Sequence, residues 1–276
     1  MVTKCISGDA WRASMQQPFG DYSDRVRDVE VEKAFWRRVT QEKQSVEPDP
    51  YSIVIANKIC ELLSNEYDIQ SIIELGPGWG NYTFKLAELC SRLICVDISQ
   101  DNLDRLRQIA FKKGISGIET VCCEWENCEP PSCDAIFAYN CFYRMRSIED
   151  CLLKINNCAQ KICIIGMNES PEQPFLPALE RELGLPVRYT RLDYRHLEII
   201  LRELGIVATV IEIPNERVYA YDSMESLLVM AARYIQGEFD KPAAQKILKR
   251  YYKIRDGPVV RRHAFRSGLL IWRPSQ

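Results

Sequence analysis

SIIELGPGWG, residues 71–80, is an apolar run that ends in a turn dense with glycine. In Ser71 to Leu75 the β-branched and aliphatic residues favour a buried strand. Gly76, Gly78 and Gly80 let the backbone bend tightly and approach a ligand without a Cβ in the way. NYTFKLAELCSR, from Asn81, reads as a helix, and LICVDIS then reads as a second strand closing on Asp97. Strand, glycine turn, helix, strand and terminal acid make one βαβ unit, in which the acid can accept hydrogen bonds from both hydroxyls of a ribose. The stretch predicts a nucleotide or nucleoside cofactor. An ordinary tight turn beside a solvated aspartate is the plainer alternative.

The same alternation continues to Asn168, with strands expected at 71–75, 93–98, 118–123, 134–139 and 161–167 and helices at 81–91, 100–113 and 147–159. Lys112, Lys113 and Gly114 supply the basic last turn and glycine stop of the second helix. Trp125 to Ser132, with Pro130 and Pro131, is too short for a full helix and reads as a loop. Pro171, Pro174 and Pro177 mark a surface connection. Beyond it come a helix at 194–204 stopped by Gly205, a strand at 207–213, helices at 223–236 and 242–254, and a closing strand at 268–272. The pattern implies a doubly wound α/β sheet of about seven strands, mostly parallel, with a helical extension at residues 1–50 and a helical insertion at 216–263. The sheet domain is then 51–215 plus 264–276.

The chain of 276 residues, with formal charge −2 and pI near 5.9, is large enough for a substantial core and is not built as a whole to hold nucleic acid or anionic lipid. No stretch reaches signal-peptide or membrane-spanning character, so a cytoplasmic setting without membrane contact is expected. Twelve cysteines sit mostly inside apolar segments and read as small buried hydrophobes in a reducing compartment. Cys122, Cys123, Cys128 and Cys133 are close enough in sequence to raise a zinc or iron–sulfur site. The chain has no C-x-x-C, however, and adjacent Cys122 and Cys123 point to opposite faces of a strand, so no metal is expected.

The glycine spacing is G-x-G-x-G, with Asn81 where a dinucleotide fingerprint needs its third glycine. Glu74, just before the turn, would repel a pyrophosphate and welcome a cofactor with an amino group and a positive centre. The electrostatics favour S-adenosylmethionine over NAD. On these residues the chain resembles the class I S-adenosylmethionine-dependent methyltransferases: ELGPGWG looks like their first motif and VDIS like their second. Cys123-Glu124-Trp125 looks like the segment facing the adenine, and DAIFAYNCFYRM like the fourth-strand motif beside the methyl group. The resemblance spans Ser71 to Asn168. It implies a Rossmann-like sheet of seven strands with the last antiparallel, and Gly76, Gly78 and Gly80 under the cofactor's amino-acid part. It also implies Asp97 on the ribose, Ile98 against adenine, and Glu124 and Trp125 at the adenine edge.

Plainer roles stand beside these. Glu124 can be a solvated loop acid, Trp125 core, and Asn140, a candidate for contact near the methyl, a turn residue. If the acceptor needs deprotonation, His196 and His263 have an ordinary pKa near neutrality. His196 also reads as a surface residue of its helix. Tyr139, Tyr143 and Arg144 follow or end the fourth strand, where they either pack or contact an acidic substrate. Trp11, Phe19, Tyr22, Phe35 and Trp36 form either a lid or a permanently packed extension. The nine Lys and Arg between Lys241 and Arg266, against the single acid Asp256, form a solvated helix face or an anion-binding wall for an acidic metabolite or RNA. The leading expectation is methylation of a small molecule. Methylation of RNA or protein, a cysteine-rich metal or redox protein, and a non-catalytic cofactor-binding regulator are the alternatives.

Overall fold

The computed structural model describes residues 6–16, 23–43, 47–66, 68–169, 173–187, 192–232, 234–235, 238–252 and 259–274. It divides into one compact unit of residues 1–168, 192–213 and 266–276 and a second of 169–191 and 214–265. Phe19, Tyr22 and Lys253 lie outside the described residues.

The helices are α1 (Ile6–Met15), α2 (Asp24–Arg27), α3 (Val29–Glu42), α4 (Pro50–Glu66), α5 (Thr83–Ala87), α6 (Gln100–Lys113), α7 (Ile148–Cys158), α8 (Leu176–Leu183), α9 (Tyr194–Glu203), α10 (Met224–Ala232) and α11 (Lys241–Tyr251). The strands are β1 (Ser71–Leu75), β2 (Arg92–Asp97), β3 (Ile118–Cys122), β4 (Cys133–Tyr139), β5 (Ala159–Asn168), β6 (Thr209–Tyr221) and β7 (Val259–Trp272). They form one sheet in the order β3-β2-β1-β4-β5-β7-β6. β1 to β5 pair in parallel, and β7 runs antiparallel to β5 from Cys163 opposite Trp272 to Asn168 opposite Ser267. The expected Rossmann-like sheet with an antiparallel last strand is borne out.

Alternating strand residues feed two cores, which is why the central strands read as continuous apolar runs. Ile73, Leu75, Ile94 and Ile136 pack toward Trp11 of α1, Leu152 of α7 and Leu197 of α9. Ile72, Leu93, Cys95 and Phe137 pack toward Ile59 of α4, Leu86 of α5 and Leu106 of α6. Helix α6 has the bounds its end signals predict: the Ser99 hydroxyl accepts from Asn102 N at 3.3 Å, and Gly114 closes it at φ 66°.

Three expectations are corrected. Helix α5 is shorter than 81–91, because residues 78–82 and 88–89 form turns. Strands β6 and β7 extend well past 207–213 and 268–272. Part of the proline-marked connection is helical: α8 starts with Pro177 in its first turn, where a missing N–H costs nothing. In the second unit α8, α10 and α11 bury Phe175, Leu179, Leu227 and Leu248, and the Phe175 ring meets those of Tyr234 and Tyr252.

Candidate functional site

The carboxyl ends of β1, β2 and β4 open into a cleft of about 1030 Å³ including its mouth, the position at which doubly wound sheets hold ligands. Its floor is the loop after β1. Gly76 and Gly78 line it at φ 62° and 55°, a backbone that L side chains rarely adopt. A Cβ on Gly76 would lie 2.5 Å from the Cβ of Cys141, whereas one on Gly78 would meet no protein atom within 4 Å. The space beside Gly78 is therefore open to a ligand.

Asp97 ends β2 at the cleft wall with only 8 % of its surface exposed. Its two oxygens accept from Gly78 N at 3.2 Å and Ser99 N at 2.8 Å, which ties the glycine loop to the second strand. Burial pushes its carboxyl up to about 6, and those backbone hydrogen bonds oppose the shift. Ile98, Glu124 and Trp125 also line the cleft. Glu124 accepts from Arg144 Nη2 at 3.2 Å, while Trp125 is mostly core, donating from Nε1 to Cys151 O at 3.2 Å.

Asn140 follows β4 at φ 54°, the one non-glycine residue with positive φ among the described residues. It is held there by its own N–H to Gly166 O and by its Oδ1, which accepts from Asn168 N, both at 2.9 Å. A strained residue that its surroundings fix at the mouth of a cleft is a mark of a ligand site. Tyr139, Tyr143 and Arg144 line the same cleft. Tyr139 donates to Asn168 Oδ1 at 2.6 Å and Tyr143 to Glu32 Oε1 at 2.7 Å. Burial pushes both phenols up, so neither is a base near neutrality.

Four expected site residues are elsewhere. Glu74 shares the strand face of Ile72, is 1 % exposed and does not line the cleft. Strand parity turns its side chain toward the layer of α4 to α6, where Cys95 Sγ lies 3.7 Å from Oε2. Burial pushes its carboxyl up to about 8, so it is neutral at pH 7 and supplies no charge to a cationic ligand. Gly80 also turns away from the cleft, since a Cβ there would strike Leu106 and Phe84. His196 caps α9: its ring nitrogen accepts from Asp193 N at 3.2 Å while Asp193 Oδ1 accepts from Arg195 N, an N-terminal capping pair. His263 belongs to the second unit, where its ring stacks on Phe265 at 5.8 Å.

Further residues line the cleft, of which Trp36 is one expected of a lid. Trp79 and Asn81 flank the third glycine, and Asn81 is a bridge: its Oδ1 accepts from Trp79 Nε1 at 3.0 Å and Asp49 N at 2.9 Å. Lys43 pairs with Asp49 at 2.8 Å and lies 4.4 Å from the Trp79 ring centre, so the loop is fastened to the residues before α4. Trp36 and Tyr51 complete the lining from before β1, and Trp36 meets Trp79 at 5.9 Å between ring centres. Of the clustered cysteines, Cys122 is exposed, Cys123 lines the cleft, and Cys128 and Cys133 are buried in the core.

Residues 72–161 match a family described as Methyltransferase domain. Over that stretch, about a third of the chain, the sequence is similar to a methyltransferase domain. Solved structures share the fold. The YcgJ protein of Bacillus subtilis matches with TM-score 0.53 and 12 % identity over 80 % of this chain and 98 % of that one. Magnesium protoporphyrin IX methyltransferase (ChlM) of Synechocystis PCC 6803, solved with S-adenosylhomocysteine bound, matches with TM-score 0.51 and 13 % identity over 91 % of this chain and 97 % of that one. By sequence, no curated protein matches the chain. Among the described residues no helix is long and apolar enough to cross a membrane.

Proposed function

We propose that the protein transfers the methyl group of S-adenosylmethionine to a small-molecule acceptor by in-line displacement. The observation that carries the reading is the junction of the positive-φ loop with Asp97, a backbone cradle bound to a buried carboxylate at the end of β2. The S-adenosylhomocysteine bound in the Synechocystis enzyme supports the choice of cofactor. The cofactor supplies a methyl already activated by its sulfonium, so the chain's own task is alignment and exclusion of water. In this reading Gly76 and Gly78 pass beneath the amino-acid part and Asp97 accepts from the ribose hydroxyls. Ile98, Glu124 and Trp125 bound the adenine, and Asn140 lies beside the transferred group.

A small acceptor suits a cleft walled by Trp36, Tyr51, Tyr139 and Tyr143. The basic 241–266 stretch offers less to RNA than its sequence suggests. Lys241, Arg250, Arg262 and Arg266 each pair with a glutamate, at 3.9, 2.7, 3.0 and 2.7 Å. A cytoplasmic setting accords with eleven described cysteines that are all free thiols.

Calorimetry with S-adenosylhomocysteine tests the cofactor. Wild-type protein binds it, and Asp97→Ala weakens binding by about 10- to 100-fold, the loss of hydrogen bonds to a charged acceptor. The Asp97 carboxyl sits at about 6, so wild-type affinity falls as pH drops from 7.5 to 5.5 and the carboxylate takes up its proton. Equal affinity of wild type and Asp97→Ala rejects the assignment. For the acceptor, methyl label from the cofactor is expected in a metabolite extract; label confined to RNA or protein would overturn the small-molecule reading.

A further inference from the structure

One wall of the cleft is built from residues far apart in the chain, Trp36 on α3 and Tyr143 after β4. Behind it lies Glu32, one helical turn before Trp36, with its side chain fully buried. A lone carboxylate there would be costly. Glu32 is instead held ionised by Arg25, whose Nε and Nη2 donate to its two oxygens at 2.5 and 2.9 Å. The Oε1 atom also accepts from the Tyr143 hydroxyl and from Trp36 Nε1, each at 2.7 Å, so one atom aims both rings. Trp36 Nε1 is also 3.1 Å from the Tyr143 oxygen, and the Arg25 guanidinium lies 3.5 Å from the centre of the Phe35 ring. A buried ion pair seldom stabilises a fold more than apolar residues of the same volume would. Its position behind two cleft-facing rings points to another use.

We infer that Glu32 is a positioning residue of the cleft: it fixes Trp36 and Tyr143 as one wall against which the bound cofactor packs. The segment that precedes the matched domain thus completes the cofactor site, and the inference rests on the cofactor reading above. Leucine at position 32 removes the acceptor for both rings. Glutamine keeps an acceptor oxygen while losing the charge that Arg25 holds.

Two measurements test it, at a temperature where far-UV circular dichroism shows each variant folded. In ligand-free protein, the Trp36 emission, isolated by difference against the same variant carrying Trp36→Phe, becomes more open to acrylamide quenching in Glu32→Leu and stays near wild type in Glu32→Gln. Calorimetry with S-adenosylhomocysteine shows about tenfold or greater weakening in Glu32→Leu, with most of the affinity retained in Glu32→Gln. Should Glu32→Leu not fold, Tyr143→Phe, which deletes one hydroxyl, is expected to weaken binding in the same assay. Wild-type quenching and affinity in Glu32→Leu, or wild-type affinity in Tyr143→Phe, overturn the inference. A purely structural ion pair would lower the melting temperature of the Leu and Gln variants alike and leave both readouts unchanged. Failure of wild-type protein to bind S-adenosylhomocysteine overturns the cofactor reading, and the quenching comparison still decides whether Glu32 positions the ring.

Discussion

Gly76→Ala is expected to lose S-adenosylhomocysteine binding by about 100-fold or more and to lower the melting temperature by roughly 5–15 °C. Two costs act together. At φ 62° an alanine pays about 1–2 kcal/mol for the left-handed backbone, and its Cβ would lie 2.5 Å from the Cβ of Cys141. Neither atom is the end of a flexible side chain, so the loop and the chain after β4 must part, an overpacking cost of about 1–3 kcal/mol. The binding loss exceeds the stability loss because Gly76 N donates to Val96 O at 2.8 Å, one residue before Asp97; displacing the loop disturbs the cradle and the carboxylate together. Two controls separate the terms. Gly78→Ala carries the same backbone cost with no clash, so its stability loss is the smaller. In the double variant Cys141→Gly restores part of the Gly76→Ala loss, whereas Cys141→Ala, which keeps its Cβ, restores none. Wild-type binding by Gly76→Ala would show that the loop is not the floor of the site.

The features that made this loop legible are local. A run of apolar residues, three glycines and an acid at a fixed distance are readable in one pass, and β1 and α6 lie where their patterns place them. Asp97, Gly76, Gly78 and Asn140 follow from strand ends for the same reason. What is not legible is non-local: Trp36 reads only as one of two alternatives, lid or packed extension, and Tyr51 not at all, because both line the cleft from a segment before β1 that is fastened to the glycine loop through Lys43, Asp49 and Asn81. The distal parts of β6 and β7 depend on pairing with each other and on contacts such as Arg262 with Glu216, which no single segment announces. Two placements follow from local rules. Strand parity places Glu74 with Ile72 and away from Ile73 and Leu75, and Asp193 three residues before His196 is the spacing of a helix cap. Glu74 is thereby turned from the cleft by the direction its strand imposes, and the surface reading of His196 holds, with the ring in a cap.

Glu74→Gln is expected to stabilise the protein in alkaline solution and to do nothing of the kind in acid. The carboxyl of Glu74 is pushed from its ordinary 4.5 up to about 8, first by burial, against which the neighbouring Thr83 and Cys95 favour the charged form without cancelling the shift. Its Oε1 finds no hydrogen-bond partner among the described residues, which adds to the cost of ionising the group in the fold. Between about 4.5 and 8 the folded chain keeps a proton that the unfolded chain has released, and stability contributed by this group falls as pH rises through that window. Glutamine removes the titration. Denaturant midpoints should therefore show Glu74→Gln ahead of wild type by a few kcal/mol, on the order of 2–5, at pH 8.5. At pH 4 both side chains are uncharged, and the gain should vanish or reverse slightly, because the amide adds donors to a buried site. The difference between the two proteins isolates Glu74 from Asp97, whose raised carboxyl bends the stability curve in the same direction. A difference that does not vary between pH 4 and 8.5 would mean that Glu74 is ionised in the fold. In that event a buried negative charge beneath the glycine loop would again have to be reckoned with in the electrostatics of the cleft.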